Sequence, residues 1–348
     1  MNKGDFMKKI NFRNDYCGIA HKDILQALIE NENNSYVGYG LDEQSEQAKK
    51  LIQKELKNEN VDVHFIPGGT LTNKVLISHI LRPYEAVISA DSGHINVHET
   101  GTIEQSGHKV LTAPNNNGKI NGSDIISIYN SHTDEHMVKP KMVYISNPTE
   151  FGTIYTKEEL TEISNICKKL DLYLYMDGAR LGCALTSPKN DLVMSDLSNL
   201  VDAFYIGGTK NGLLLGEALV VINEELKPFM RHSVKHFGGM YAKGFINGIQ
   251  FKTLFENNLF YNIAKKQNDL AMILYNKMCL LGIKFLMEQE TNQIFPVFKN
   301  ETVEKLKDYF LFEIWERKEE ETVIRFVTNY LLNEDDVNNA IEIIKNII

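Results

Sequence analysis

Two side chains of opposite charge stand where buried strands should end. Asp177 closes the apolar run Leu172–Met176 in YLYMDGARLGCAL, and Lys210 follows Ala203–Ile206 in DAFYIGGTKNGLLLG. An amine can condense with an aldehyde, and a carboxylate can keep a pyridine nitrogen protonated so that the ring draws electrons. The pairing predicts a protein that holds pyridoxal phosphate (PLP). Asp177 alone could instead cap the helix after it, and a lysine is usually a surface residue. The flanks of Lys210 oppose the surface reading, with Phe204–Ile206 before it and Leu213–Leu215 after it. Desolvation beside a cationic centre would lower its pKa and free the amine. Thr209 beside it could donate to the cofactor phosphate.

Further groups could complete such a site. Pro67-Gly68-Gly69-Thr70 lies between a strand-like run and a helical pattern, so free amides, a helix N-terminus and a hydroxyl could meet a phosphate. It lacks the residues of a P-loop and the spacing of a dinucleotide fingerprint. Arg180, three residues after Asp177, could hold a carboxylate or phosphate, or form a structural ion pair. Arg325 interrupts the apolar strand Thr322–Thr328 and faces away from Ile324 and Phe326. Its fork suits an α-carboxylate, and an internal salt bridge is the other reading. In Asp91–Glu99, His94 could stack on a pyridine ring or move protons. His94 and His98 at i and i+4 would share a helix face, but there is no HExxH pattern and no evident third ligand, so no metal is expected.

These residues need a scaffold that brings strand ends together. Strand-like runs at Val63–Ile66, Ala86–Ser89, Lys109–Thr112, Lys141–Ser146, Leu172–Met176, Ala203–Ile206 and Ala218–Ile222 alternate with helical patterns. The clearest helix is Lys157–Leu170, with a capping box from Thr156 and Glu159. This alternation predicts an α/β fold with a mostly parallel central sheet, which binds ligands at its carboxyl edge. One or two long helices follow from Met240 to about Leu280. A smaller α+β domain has strands at Gln293–Phe298 and Thr322–Thr328 and a last helix from about Asp335. The expected division is an N-terminal segment 1–45 near the small domain or a subunit interface, a large PLP-binding domain 46–245, and a linking helix with the C-terminal domain 246–348.

Bulk properties narrow the function. The 348 residues carry 37 basic and 46 acidic side chains, a formal charge of −9, which opposes a nucleic-acid footprint. Met1–Asn14 is polar, without the apolar core of a signal peptide, and no apolar run approaches a membrane span. Cys17, Cys167, Cys183 and Cys279 form neither a metal pattern nor a disulfide framework, so a cytoplasmic protein with reduced thiols is expected.

The chain resembles the PLP-dependent threonine aldolases and aromatic amino acid β-eliminating lyases of the aspartate-aminotransferase fold, fold type I. The likeness lies in FRNDYCG at 12–18, FIPGGTLTN at 65–73, HINVHETG at 94–101, YMDGARLG at 175–182, IGGTKNG at 206–212 and IRFVT at 324–328. It implies that Lys210 is the Schiff-base lysine, that Asp177 contacts the pyridine nitrogen and that His94 stacks on the ring. Gly69, Thr70 and Thr209 would bind the phosphate end, with Arg180 also near the cofactor. Arg180, Arg325 and Asn14 would bind the substrate, and Asp15 would support the site entrance. Tyr39-Gly40 would lie near the subunit interface of a homodimer or homotetramer with shared active sites. The implied reaction is cleavage of a small β-hydroxy-α-amino acid, of the L-threonine or L-allo-threonine type, to glycine and an aldehyde. β-Elimination and transamination are the alternative reactions, and a regulatory PLP-fold subunit or a sugar- or nucleotide-binding α/β protein the non-catalytic ones. The chain departs from the family at Thr149, where many threonine aldolases have a histidine, so water, His94 or another group must take the hydroxyl proton. It departs again at Gly238–Lys243, which lacks the family's arginine and glutamine.

Overall fold

The structure, a computed structural model, describes residues 9–348. Residues 1–8 of the expected N-terminal segment lie outside the described residues.

Each strand-like run of the first two-thirds of the chain forms a strand of one seven-stranded sheet. These strands are β1 (Asp62–Ile66), β2 (Glu85–Ala90), β3 (Val110–Ala113), β4 (Lys139–Ser146), β5 (Tyr173–Asp177), β6 (Ala203–Gly207) and β7 (Glu217–Val221). Their spatial order is β1-β7-β6-β5-β4-β2-β3. The pairs β2–β3, β2–β4, β4–β5 and β5–β6 are parallel, whereas β7 is antiparallel to both β1 and β6. Strands such as β2, β6 and β7 are buried at every position, as expected where both faces of a sheet are covered.

Alternation along each strand sorts the side chains into two cores. Ile88, Val143, Leu174, Met176, Phe204 and Val220 enter one. Val87, Tyr144, Tyr175, Tyr205 and Leu219 enter the other, against helix α1 (Gly69–Ile80). Helix α2 (Lys157–Lys169) starts with the expected box, Thr156 accepting from the Glu159 amide while Glu159 accepts from the Thr156 amide. The long helical stretch resolves into α3 (Phe245–Phe255) and α4 (Leu259–Leu280). Asn257 and Asn258, both at positive φ, separate them, and asparagine tolerates that conformation better than most residues.

A second sheet lies beyond α4, with its own core of Leu274, Ile294, Phe326 and Ile341. The expected strand Gln293–Phe298 is broken at Phe295 into Gln293–Ile294 and Pro296–Lys299. Both pieces pair with Glu321–Val327 in one continuous register, so the break is a gap in hydrogen bonding, where Pro296 has no N–H to give. The first described residues join this part of the molecule. Ile10–Asn11 pairs in parallel with Phe310–Leu311, and the Val327 amide donates to the Phe12 carbonyl at 2.8 Å. The last helix runs from Glu334 to Ile347, again behind a capping box.

Candidate active site

The sheet order changes direction between β2 and β4, the point at which open α/β sheets leave a crevice outside the strand ends. His94 follows the end of β2, Glu150 follows β4, Asp177 ends β5 and Lys210 follows β6. All four line one cavity of about 300 Å³, together with Arg180 and Arg325. The volume suits a small ligand site.

Asp177 is buried at the floor. Its Oδ2 accepts from the Tyr144 hydroxyl at 2.6 Å and from Asn73 Nδ2 at 3.3 Å, and its Oδ1 accepts from the Ala179 amide at 3.0 Å. Burial raises its pKa, but His94, the Tyr144 and Tyr205 hydroxyls and the Ala179 amide outweigh it, so the carboxyl stays below its ordinary range and ionised. The network extends through Asn73, whose Oδ1 accepts from the Tyr175 hydroxyl at 2.7 Å and whose Nδ2 donates to Glu99 at 2.7 Å. Glu99 then meets His94 Nδ1 at 2.7 Å, which fixes the imidazole. Gly178 follows Asp177 because the chain there presses on β6, where a Cβ would stand 2.0 Å from the Tyr205 carbonyl oxygen.

Lys210 sits in a short turn whose walls are polar. Burial and the Arg180 charge lower its pKa, against the opposing pull of Asp15, Asp177 and Glu217. Thr209 spends its hydroxyl on the Gly216 amide at 3.1 Å and on the buried Glu217 carboxyl. Glu217 also accepts from the Gly208 amide at 2.8 Å, and desolvation lifts its pKa to about 7. Thr209 therefore holds the shape of the turn and is not among the residues lining the cavity.

The structure gives Arg180 and Arg325 different work. Arg180 Nε and Nη2 meet the two oxygens of Asp15 at 2.6 and 3.1 Å. Asp15 is completely buried and takes a third hydrogen bond from Asn292 Nδ2 at 3.0 Å. It lies under Arg180 rather than at an entrance, because a carboxylate so deep survives only beside a cation. Arg325 forms no ion pair with any described residue. Its Nε is buried without a partner, and its guanidinium lies 5.5 Å from the Trp315 ring centroid. Burial and Arg180 push its pKa down, so an arriving carboxylate would relieve it.

Removing the partner of Arg180 should be costly. Asp15→Ala is expected to destabilise the protein by about 3–5 kcal/mol, measured by urea denaturation, since it leaves a buried cation uncompensated. The folded-state pKa of Asp15 is depressed, with the Arg180 pair overcoming desolvation. The pair therefore stabilises the fold above the ordinary carboxylate pKa, and that part is lost as pH falls through the depressed value. The acid limb of the stability curve should shrink in Asp15→Ala.

The remaining expected residues stand beside the cavity. Gly69 and Thr70 open helix α1, whose first amide with an intrahelical bond is that of Thr72, donating to Gly68. Gly68 has open space where a Cβ would point, so these amides form an uncovered helix N-terminus. Asn14 uses its side-chain oxygen on the Tyr16 amide at 3.2 Å; Tyr16 lines the cavity, and Asn14 does not. His98 lines it too, with its ring 5.5 Å from that of His94. No group of three His, Cys, Asp or Glu residues among the described residues is placed to hold a metal.

A family model, described as beta-eliminating lyase, matches residues 18–301. The chain belongs to this family. It is similar to a threonine aldolase from Leishmania major, with 43% identity, a TM-score of 0.95, and 97% of this chain and 99% of that one covered. It is also similar to a low specificity L-threonine aldolase from Pseudomonas sp., 28% identical over 298 residues, 84% of this chain and 85% of the relative. An aspartate aminotransferase mutant from Thermus thermophilus matches at 12% identity with a TM-score of 0.71, covering 98% of this chain and 92% of that one, which shows the shared fold. The architecture is thus that of fold type I, as the sequence motifs implied.

Several residues of this lyase-family site were given no role from the sequence. Asn73, Glu99 and Tyr175 lie within the motif segments and Tyr144 outside them, and all four meet around Asp177 and His94 although they come from distant segments. The alternation in β4 and β5 could have placed the two tyrosines on the face of Asp177. Nothing local distinguishes Glu150 or Glu217 from ordinary acidic residues.

Proposed function

We propose that the protein is a PLP-dependent aldolase that cleaves small β-hydroxy-α-amino acids of the threonine or allo-threonine type to glycine and an aldehyde. The observation that carries this reading is one cavity lined by an ionised buried Asp177, a desolvated Lys210 and an unpaired Arg325. The names of the Leishmania and Pseudomonas relatives support it.

The residues fit the cofactor. The uncovered amides of Gly69 and Thr70 would take the phosphate, Asp177 the ring nitrogen and His94 the ring face, with Lys210 supplying the amine that ties down the aldehyde. PLP supplies an electron sink for a bond broken at the substrate Cα. Arg325 would hold the substrate carboxylate and so choose which Cα bond is weakened. Arg180, occupied by Asp15, would contribute its charge more than a free fork. Thr209 and Asn14 would act by shaping the Lys210 turn and the Tyr16 segment.

Arg325→Gln should raise KM for threonine about 100-fold with a smaller change in kcat, as expected when a charged contact shared by ground and transition states is lost. The broader test is the product profile of PLP-loaded protein offered threonine, allo-threonine, phenylserine and serine. Glycine with the matching aldehyde supports the aldolase. Pyruvate and ammonia would establish β-elimination instead.

The same reading carries the three-part division at 45 and 245, a cytoplasmic location and assembly into homodimers or homotetramers that share sites. Exposed Val37, Tyr39, Leu41 and Phe229 support the assembly, and free Cys17, Cys167, Cys183 and Cys279 support a reducing compartment. No described helix is long and apolar enough to cross a membrane.

A further inference from the structure

Cleaving a β-hydroxy amino acid requires a group that takes the hydroxyl proton, and most titratable groups of the cavity are already engaged. Both oxygens of Asp177 accept hydrogen bonds, Arg180 is paired, and Lys210 is the amine for the cofactor. Thr149 is scaffold: its hydroxyl lies 2.7 Å from that of Thr153, and its side chain is buried.

Glu150 is different. Its Oε1 accepts from the His94 backbone amide at 3.0 Å and from the Ser146 hydroxyl at 2.8 Å. One donor ends β4 and the other opens the short helix after β2, so the carboxyl is held across the switch point of the sheet. Its Oε2 has no partner among the described residues and is not enclosed by protein, while the residue lines the cavity. One oxygen is thus anchored and the other is open to a ligand. His98 also lines the cavity, but its ring makes no hydrogen bond to a described residue and only packs against the His94 ring. A base must be held within hydrogen-bond reach of the proton it removes, which favours the clamped group.

Resting on the aldolase reading above, we propose that Glu150 is a catalytic residue, the base that removes the β-hydroxyl proton of the substrate through Oε2. The O–H electron pair becomes the second bond of the aldehyde carbonyl as Cα–Cβ breaks. The Cα–Cβ pair stays with Cα, which takes one proton from solvent by a route separate from Glu150 and leaves as glycine, while Glu150 returns the hydroxyl proton to water. Atoms and charge balance without any further reactant.

The electrostatics agree with the geometry. Burial raises the Glu150 pKa and Asp177 adds to the rise, while the Ser146 hydroxyl, its own backbone amide and the His94 charge oppose it. Tyr144 and Tyr155 also face the carboxyl, but both phenols are pushed up and stay neutral. A carboxyl raised in this way is a stronger base than an exposed one, and cleavage should fall as pH drops through its pKa.

The test compares Glu150→Gln with wild-type PLP-loaded protein in two reactions. One is cleavage of threonine. The other is exchange of the glycine Cα proton with deuterated water, followed by NMR, which needs the cofactor site but no β-hydroxyl. The expected result is a fall in threonine kcat of about 100-fold or more and loss of the acid limb of its pH profile. Glycine exchange and the cofactor absorption spectrum should stay within about threefold of wild type, the scatter expected of a residue outside that step. Glu150→Asp, which keeps the charge but shortens the reach, should recover part of the cleavage. Unchanged cleavage in Glu150→Gln, or an equal fall in cleavage and exchange, would overturn the proposal. So would His98→Gln showing the selective loss while Glu150→Gln does not. If wild-type protein forms no glycine from threonine, the aldolase reading itself fails, and the inference with it.

Discussion

Lys210→Ala is expected to lower glycine formation from threonine by at least about 10⁴-fold, the scale of losing a covalent nucleophile. The protein should still fold, because the Lys210 amine forms no hydrogen bond or ion pair with a described residue. Its burial and the nearby Arg180 charge, which depress its pKa, would otherwise be a cost to stability with no return. Absorption spectroscopy during PLP titration would check the result. Wild-type protein should hold the cofactor through gel filtration, whereas the variant should lose it or bind it only reversibly. A variant that retained both the bound cofactor and full cleavage would remove Lys210 from the chemistry.

Asp177→Asn should have the next largest effect, a fall in cleavage of about 10³-fold. The three hydrogen bonds to Asp177 all come from donors, the Tyr144 hydroxyl, the Asn73 amide and the Ala179 amide. An asparagine must turn one NH₂ toward that ring of donors, so it loses the charge and also conflicts with its neighbours. The variant should bind PLP more weakly and melt earlier. Tyr144→Phe separates the two effects: it removes one donor and leaves the charge, so its loss of activity should be far smaller.

That Asp177, Lys210 and His94 would share one cavity was legible because strand ends punctuate sequence. Asp177, Lys210 and His94 each follow an apolar run, and open α/β sheets collect such ends at one edge. The seven strands of the main sheet were equally plain, since fully buried strands read as apolar runs of four to eight residues. What escaped was partnership. Arg180 and Arg325 look alike in sequence, yet one is neutralised by Asp15, 165 positions away, and the other is left without an anion. Pairing at such distance is set by tertiary packing, which leaves no period or motif behind. Glu150 was passed over for its neighbour Thr149 for a related reason: both line the cavity, but the turn after β4 ties the Thr149 hydroxyl to Thr153 and leaves one Glu150 oxygen without a partner. The gap in the strand at Phe295 was missed in an expected run of Gln293–Phe298, although Pro296 within it has no N–H to donate.

The knot that joins Asp15, Arg180 and Asn292 also orders events in time. A ribosome delivers the strands of the main sheet and Lys210 well before Asn292 and Arg325, so a nascent chain can form much of the main sheet while Arg325 is still unmade. Until then Asp15 lacks its Asn292 partner and Phe12 lacks the amide of Val327 that holds its carbonyl. Closing that loop brings together residues more than three hundred positions apart, a late and entropically costly step. The main-sheet side of the cavity can therefore form before Arg325 joins it. Pulse-labelled chains stalled after Gly282 should be protease-resistant over the main sheet yet leave the segment around Phe12 open to cleavage.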